Sequence, residues 1–99
     1  MAKRVFVAAR DLFFRAKLQE LVRASGAEST REEPYDVAVV ELGKPGVADQ
    51  IRDLVARGTA VLAFGSHVDA GELRAARALG ARAVPNSEVE SALRALLQA

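Results

Sequence analysis

The chain contains no cysteine, which removes disulfides, thiol catalysis and cysteine-ligated zinc together. Histidine occurs once, as His67; with no second histidine or carboxylate at ligand spacing, it predicts a loop residue rather than a metal ligand or general base. Long apolar runs are also missing. After Met1-Ala2-Lys3-Arg4 only a short apolar stretch precedes Arg10, too short for a secretory signal, and no segment approaches a membrane span. A cytoplasmic protein without membrane contact is expected. Nor is charge of one sign concentrated: 14 basic and 13 acidic residues leave a net charge of +1, and they are intermixed, whereas a nucleic-acid surface needs a basic stripe. Lys44-Pro45-Gly46 lacks the Walker A pattern, and no Gly-x-Gly-x-x-Gly occurs, so both common phosphate cradles are absent. Gly65-Ser66-His67 falls short of Gly-x-Ser-x-Gly, and no nucleophile, base and orienting group can be assembled. Neither an enzyme nor a bound cofactor or metal is expected.

What is present is an α/β grammar. With 99 residues, about half of them apolar, the chain is long enough for one modest core, and 1–99 is expected to be one domain. Gly26, Gly58 and Gly80 each close an amphipathic stretch and each precedes a short strand-like segment. Val5 to Ala9 predicts a first strand covered on both faces. Asp11 reads as an N-cap, and Phe14, Leu18, Leu21 and Val22 line one face of a helix ending at Gly26. A short strand over Ala27–Thr30 and an apolar strand from Val37 to Glu41 follow. Val47, Ile51, Leu54 and Val55 mark the second helix, and Ala60–Phe64 the next strand. Asp69 with Glu72, and Ser87 with Glu90, read as capping boxes of two further helices, separated by a strand over Ala81–Val84. The fold class is thus a doubly wound, mostly parallel sheet of four or five strands.

Between Gly26 and Asp36 the chain is too short for a crossover helix, which needs at least about ten to twelve residues. The helix between the second and third strands is therefore missing, and the second strand is short, irregular or not parallel. Phe6 and Ala8, or Val37 and Val39, are then expected near solvent unless a partner or second copy covers them. Self-association as a homo-oligomer is expected on this ground. Arg exceeds Lys, Ala is abundant and Asn86 is the only asparagine, a bias compatible with a thermophile or a GC-rich genome.

The run Asp36-Val37-Ala38-Val39-Val40-Glu41-Leu42-Gly43-Lys44-Pro45-Gly46, with Ala-Val-Leu-Ala-Phe-Gly-Ser-His-Val-Asp at 60–69, resembles the third and fourth strands of a response-regulator receiver (CheY-like) domain. The resemblance covers nearly the whole chain. It implies a flavodoxin-like sheet with its site at the carboxyl ends of the strands. It further implies an acidic pair for magnesium after strand one, an acceptor aspartate on strand three, a hydroxyl on strand four and a lysine after strand five. Here the acidic pair falls on Ala9 and Arg10, the acceptor on Glu41 and the hydroxyl position on Gly65, with Ser66 one residue on. No lysine follows Lys44. A glutamate at 41 displaces the nucleophile by more than about an ångström, against a tolerance of roughly half an ångström. Aspartyl phosphorylation is not expected, and Glu41 is expected to meet solvent or pair with Arg10.

The expected role is a non-catalytic, phosphorylation-independent signalling module that binds a protein partner or itself. The resemblance places the docking face at the last two helices and the strand between them, where Arg74, Arg77, Arg82 and Arg94 fall. The alternative is a regulatory domain that binds a small anion at the strand ends through Arg10, Ser66, His67 and the amides opening the helix near Pro45.

Overall fold

The computed structural model describes residues 2–98; Met1, part of the basic lead-in, and Ala99 lie outside them. Strands β1 (Arg4–Ala8), β2 (Glu28–Ser29), β3 (Val37–Glu41), β4 (Ala60–Gly65) and β5 (Arg82–Pro85) alternate, except between β2 and β3, with helices α1 (Leu12–Ala24), α2 (Val47–Ala56), α3 (Ala70–Ala78) and α4 (Val89–Gln98). A 3-10 turn over Asn86–Glu88 precedes α4. The strands form one sheet in the order β2-β1-β3-β4-β5, every pair parallel.

Three of the helices stop in the same way. Ala27 N–H returns to Val22 C=O, Thr59 N–H to Leu54 and Ala81 N–H to Ala76, each at 3.1 Å. This closure needs a left-handed residue just before the returning amide, and Gly26, Gly58 and Gly80 fill it with φ of 81°, 83° and 101°. At Gly80 a side chain would also press a Cβ to 3.1 Å from Val55 Cγ1. The start of α1 follows the sequence reading: Asp11 Oδ1 accepts from Phe13 N–H (2.9 Å) and Phe14 N–H (3.1 Å). The two capping boxes do not form. Asp69 makes no side-chain cap bond, and its main-chain carbonyl takes the Glu72 and Leu73 amides instead. Ser87 lies inside the 3-10 turn, which carries the chain into α4 before a hydroxyl cap can form.

The core has two halves, one on each side of the sheet. Under α1 and α4 lie Val5, Val7, Val37, Val39, Leu62, Phe64 and Val84, with Phe14 packed on Phe64 at 5.3 Å between ring centres. Under α2 and α3 lie Ala38, Val40, Val61, Ala63 and Ala83. Val37 and Val39, expected near solvent, are buried because they face α1 and α4. Phe6 and Ala8 are the pair on the side that lacks a helix, and both are partly buried. Tyr35 supplies much of the cover, its ring stacked on Phe6 at 4.9 Å and 18°.

The β2–β3 connection has no helix, and its main chain is satisfied by side chains instead. Arg4 Nε donates to Pro34 C=O (3.0 Å) and Nη2 to Glu32 C=O (2.8 Å), while the Arg4 amide donates to Asp36 Oδ2 (2.7 Å). Tyr35 Oη donates to Arg31 C=O (2.7 Å), and Thr59 Oγ1 to Tyr35 C=O (3.1 Å). Arg57 and Glu33 join the loop to the end of α2, and the hydrogen bond that the Arg57 guanidinium donates to Glu33, followed by the charge of Glu33, holds that guanidinium above its already high ordinary range. Despite its two residues β2 is parallel, with Arg4 opposite Glu28 and Val5 opposite Ser29. Replacing Arg4 by Ala is expected to cost about 1–3 kcal/mol, since two loop carbonyls lose a charged donor. Arg4→Lys should recover little, because a single ammonium does not match the guanidinium fork; urea denaturation of both variants checks this, and wild-type stability in either would show that the loop does not depend on Arg4.

Candidate functional site

The carboxyl ends of β1, β3 and β4 open on one edge of the sheet, and the loops leaving them carry the residues singled out in the sequence. Glu41 ends β3 half-buried. Its Oε1 accepts from the backbone N–H of Arg10 at 2.7 Å and of Asp11 at 3.1 Å. Where solvent or the Arg10 side chain was expected, the glutamate's partners are therefore two backbone amides of the turn leading into α1, while the Arg10 side chain is exposed. Asp11, the carboxylate of that loop, is committed to capping. Ala9 is buried and offers no ligand. Among the described residues no group of three or more His, Cys, Asp or Glu is placed to hold a metal ion.

On β4, Gly65, where the hydroxyl was expected to align, lies opposite Pro85 on β5. A Cβ there would lie 3.3 Å from Leu42 Cβ and 3.4 Å from Leu42 Cδ1. Leu42 is held in place by its amide, which donates to Phe64 C=O at 2.8 Å. A side chain at 65 would therefore press on Leu42, which would have to give by a few tenths of an ångström. Ser66 turns into its own loop, its Oγ accepting from Val68 N–H at 3.3 Å. His67 is exposed.

Arg10 lines a groove over the outer side of β1 together with Arg15, Arg31 and Lys44. Ser66 and His67 are not among its lining residues, so the three side chains expected to bind an anion together do not share this groove. The α2 amides are partly committed, with Val47 N–H on Lys44 C=O. Nothing in the linear pattern pointed to Arg15 or Arg31, since each reads as one exposed charge in a mixed surface. On the far side, Arg74, Arg82 and Arg94 are exposed, whereas Arg77 Nη2 donates to Ala83 C=O at 2.7 Å and is bound to β5. No helix among the described residues is long and apolar enough to cross a membrane.

A five-stranded parallel sheet in the order 2-1-3-4-5, with helices on both faces and loops meeting at the carboxyl ends of β1, β3 and β4, is the CheY-like receiver fold of response regulators. Solved receivers superpose on it closely. The BeF3-activated DrrB receiver domain is similar with a TM-score of 0.82 at 17% identity, covering 99% of this chain and 96% of that one. A response regulator from Thermotoga maritima gives 0.79 at 14% identity, with 99% and 96% covered. A CheY-like protein (TadZ) from Pseudomonas aeruginosa PAO1 gives 0.73 at 21% identity, covering 97% of each chain. No protein-family model matches the chain, and no curated protein is similar enough in sequence to count as a relative.

The Glu41 tether makes a stability prediction that depends on side-chain length. Glu41→Asp withdraws the oxygen from both amides and should cost about 1–2 kcal/mol, whereas Glu41→Gln keeps a carbonyl oxygen in place and should cost less. Denaturant midpoints of the two variants decide it, and an Asp variant as stable as the parent would show that the tether contributes nothing.

Proposed function

We propose that this chain is a single receiver-like signalling domain that acts without phosphorylation and without catalysis, by docking a protein partner. The observation that carries this reading is the state of Glu41. On an otherwise complete receiver sheet, the side chain at the acceptor position is bound by its own backbone, 2.7 Å from the Arg10 amide and 3.1 Å from the Asp11 amide. An oxygen held by two donors is a poor nucleophile, and no acidic pair stands beside it to bring a metal and a phosphodonor. Three further features support the reading: the glycine at position 65, tight against Leu42, where a hydroxyl would be needed, the exposed Arg10 where a magnesium ligand would stand, and the absence of lysine after Lys44.

The proposed docking face is α3, β5 and α4, where Arg74, Arg82 and Arg94 are exposed and form no ion pair among the described residues. These side chains suit an acidic partner, and Arg77, also exposed, commits its Nη2 to Ala83 C=O and so fastens α3 to β5. Self-association has weaker support than the open sheet face promised, because Tyr35 stacks over Phe6.

Incubation with magnesium and acetyl phosphate should leave the intact mass unchanged, and a phosphoryl adduct at Glu41 would overturn the reading. Used as bait at moderate salt, the protein should retain a partner that is lost on Arg74→Ala/Arg82→Ala but kept on Arg10→Ala. Sedimentation at high concentration separates partner docking from self-association, since only the latter raises the mass of the protein alone.

A further inference from the structure

The shortness of β2 leaves the carboxyl half of β1 without a strand on its outer side. Lys3 C=O accepts from Glu28 N–H (2.8 Å) and Val5 C=O from Thr30 N–H (2.9 Å), while Arg4 C=O takes Asp36 N–H (2.8 Å) from the opposite side. These bonds fix the parity of the strand: the peptides of residues 3, 5 and 7 face β2 and those of 4, 6 and 8 face β3. Since β2 ends at Ser29, the Val7 peptide faces a groove where a strand would otherwise stand. That groove is about 480 Å³, and a second hollow of about 350 Å³ continues it along the same edge past Ser29 and Thr30. Phe6, Val7, Arg15 and Arg31 line both.

Four cations border this groove, each from a different segment: Arg10 from the β1–α1 loop, Arg15 from α1, Arg31 from the β2–β3 loop and Lys44 from the β3–α2 loop. No carboxylate residue lines either hollow. None of the four side chains enters an ion pair among the described residues, although Arg4, Lys17, Arg23, Arg52 and Arg57 all do. In a chain with nearly equal numbers of acids and bases, four cations around one hollow repel one another, and the nearby carboxylates of Glu41 and Asp11 are committed to backbone amides of the β1–α1 turn and the first turn of α1 rather than to these side chains.

We infer that this groove binds a small, multiply charged phosphate compound. Guanidinium forks match phosphate oxygens two at a time, and here three arginines and a lysine surround one hollow instead of spreading as a stripe. Neutral donors stand beside them in Gln50 and in the Val7 amide. The volume lies within the range of roughly 300–1,000 Å³ that small-ligand sites occupy. The site is on the β1 edge, away from the α3–β5–α4 face, so it stands or falls separately from the docking role.

Inorganic pyrophosphate titrated into isotope-labelled protein, with citrate as a carboxylate polyanion of similar charge, tests the assignment. Saturable amide shifts centred on Val7, Arg10 and Arg31 are expected, with citrate binding at least tenfold more weakly. The Arg10→Ala/Arg31→Ala double variant should keep the parent's amide spectrum elsewhere and lose at least tenfold in affinity, while Arg74→Ala/Arg82→Ala should bind as the parent does. Adding inorganic phosphate and ATP as separate titrants shows whether one phosphate group suffices or a longer chain is preferred. Equal binding of citrate, shifts spread evenly over Arg74 and Arg82, or an unaffected double variant would each overturn the proposal.

Discussion

Everything in this molecule is arranged around keeping β3 dry. Ala38, Val39 and Val40 have no solvent exposure and Val37 only 4%, so the strand has no wet face at all. A parallel strand of this kind needs a neighbour on each edge and a helix layer on each side. β1 and β4 supply the edges through four and five paired residues. The helix layers differ in character: valine, leucine and phenylalanine lie under α1 and α4, and alanine occupies three of the main positions under α2 and α3. Small side chains on the second side let the backbone layers approach, while the first side is filled by longer ones.

The missing crossover helix tests that arrangement, since it removes cover from one corner of the second side. The corner is held by an aromatic stack and by hydrogen bonds from Arg4, Tyr35 and Thr59 to the loop that replaces the helix. Hydrophobic burial is thus exchanged locally for polar bonds made by side chains distant in sequence. The same short connection leaves the outer edge of β1 open, and basic side chains from four segments border it. A fold irregularity and a distinctive surface thus meet at the same edge.

Much of the architecture was legible because its signals are local. A glycine after each amphipathic stretch, an aspartate two residues before Phe13, and an unbroken apolar strand are read within a few residues, and the structure has them all. The capping boxes at Asp69 and Ser87 failed because the spacing is common and a main-chain carbonyl or a 3-10 turn can serve instead. The role of Arg4 was hidden, since its carbonyl partners lie about thirty residues away and carry no side-chain signal. Glu41 was legible as an anomaly but not as a tether, because its partners are backbone amides that every residue possesses. Leu42 over Gly65 likewise depends on which way a side chain turns after a strand ends.

The two outermost strands have a consequence for how this protein meets others. β2 has two residues and carries an exposed Glu28, while β5 has four, begins at an exposed Arg82 and ends at Pro85, which has no N–H to offer. Short, charged or proline-terminated borders are poor templates for a foreign strand. These two strands therefore offer neighbouring copies little main chain, and the stretch of β1 left open beyond Ser29 is bordered by Arg10, Arg15, Arg31 and Lys44, whose like charges oppose a second copy of the same edge. At β2 and β5, recognition is left to side chains on the neighbouring helices and loops, and recognition of that kind is far easier to make selective than the stacking of one backbone on another.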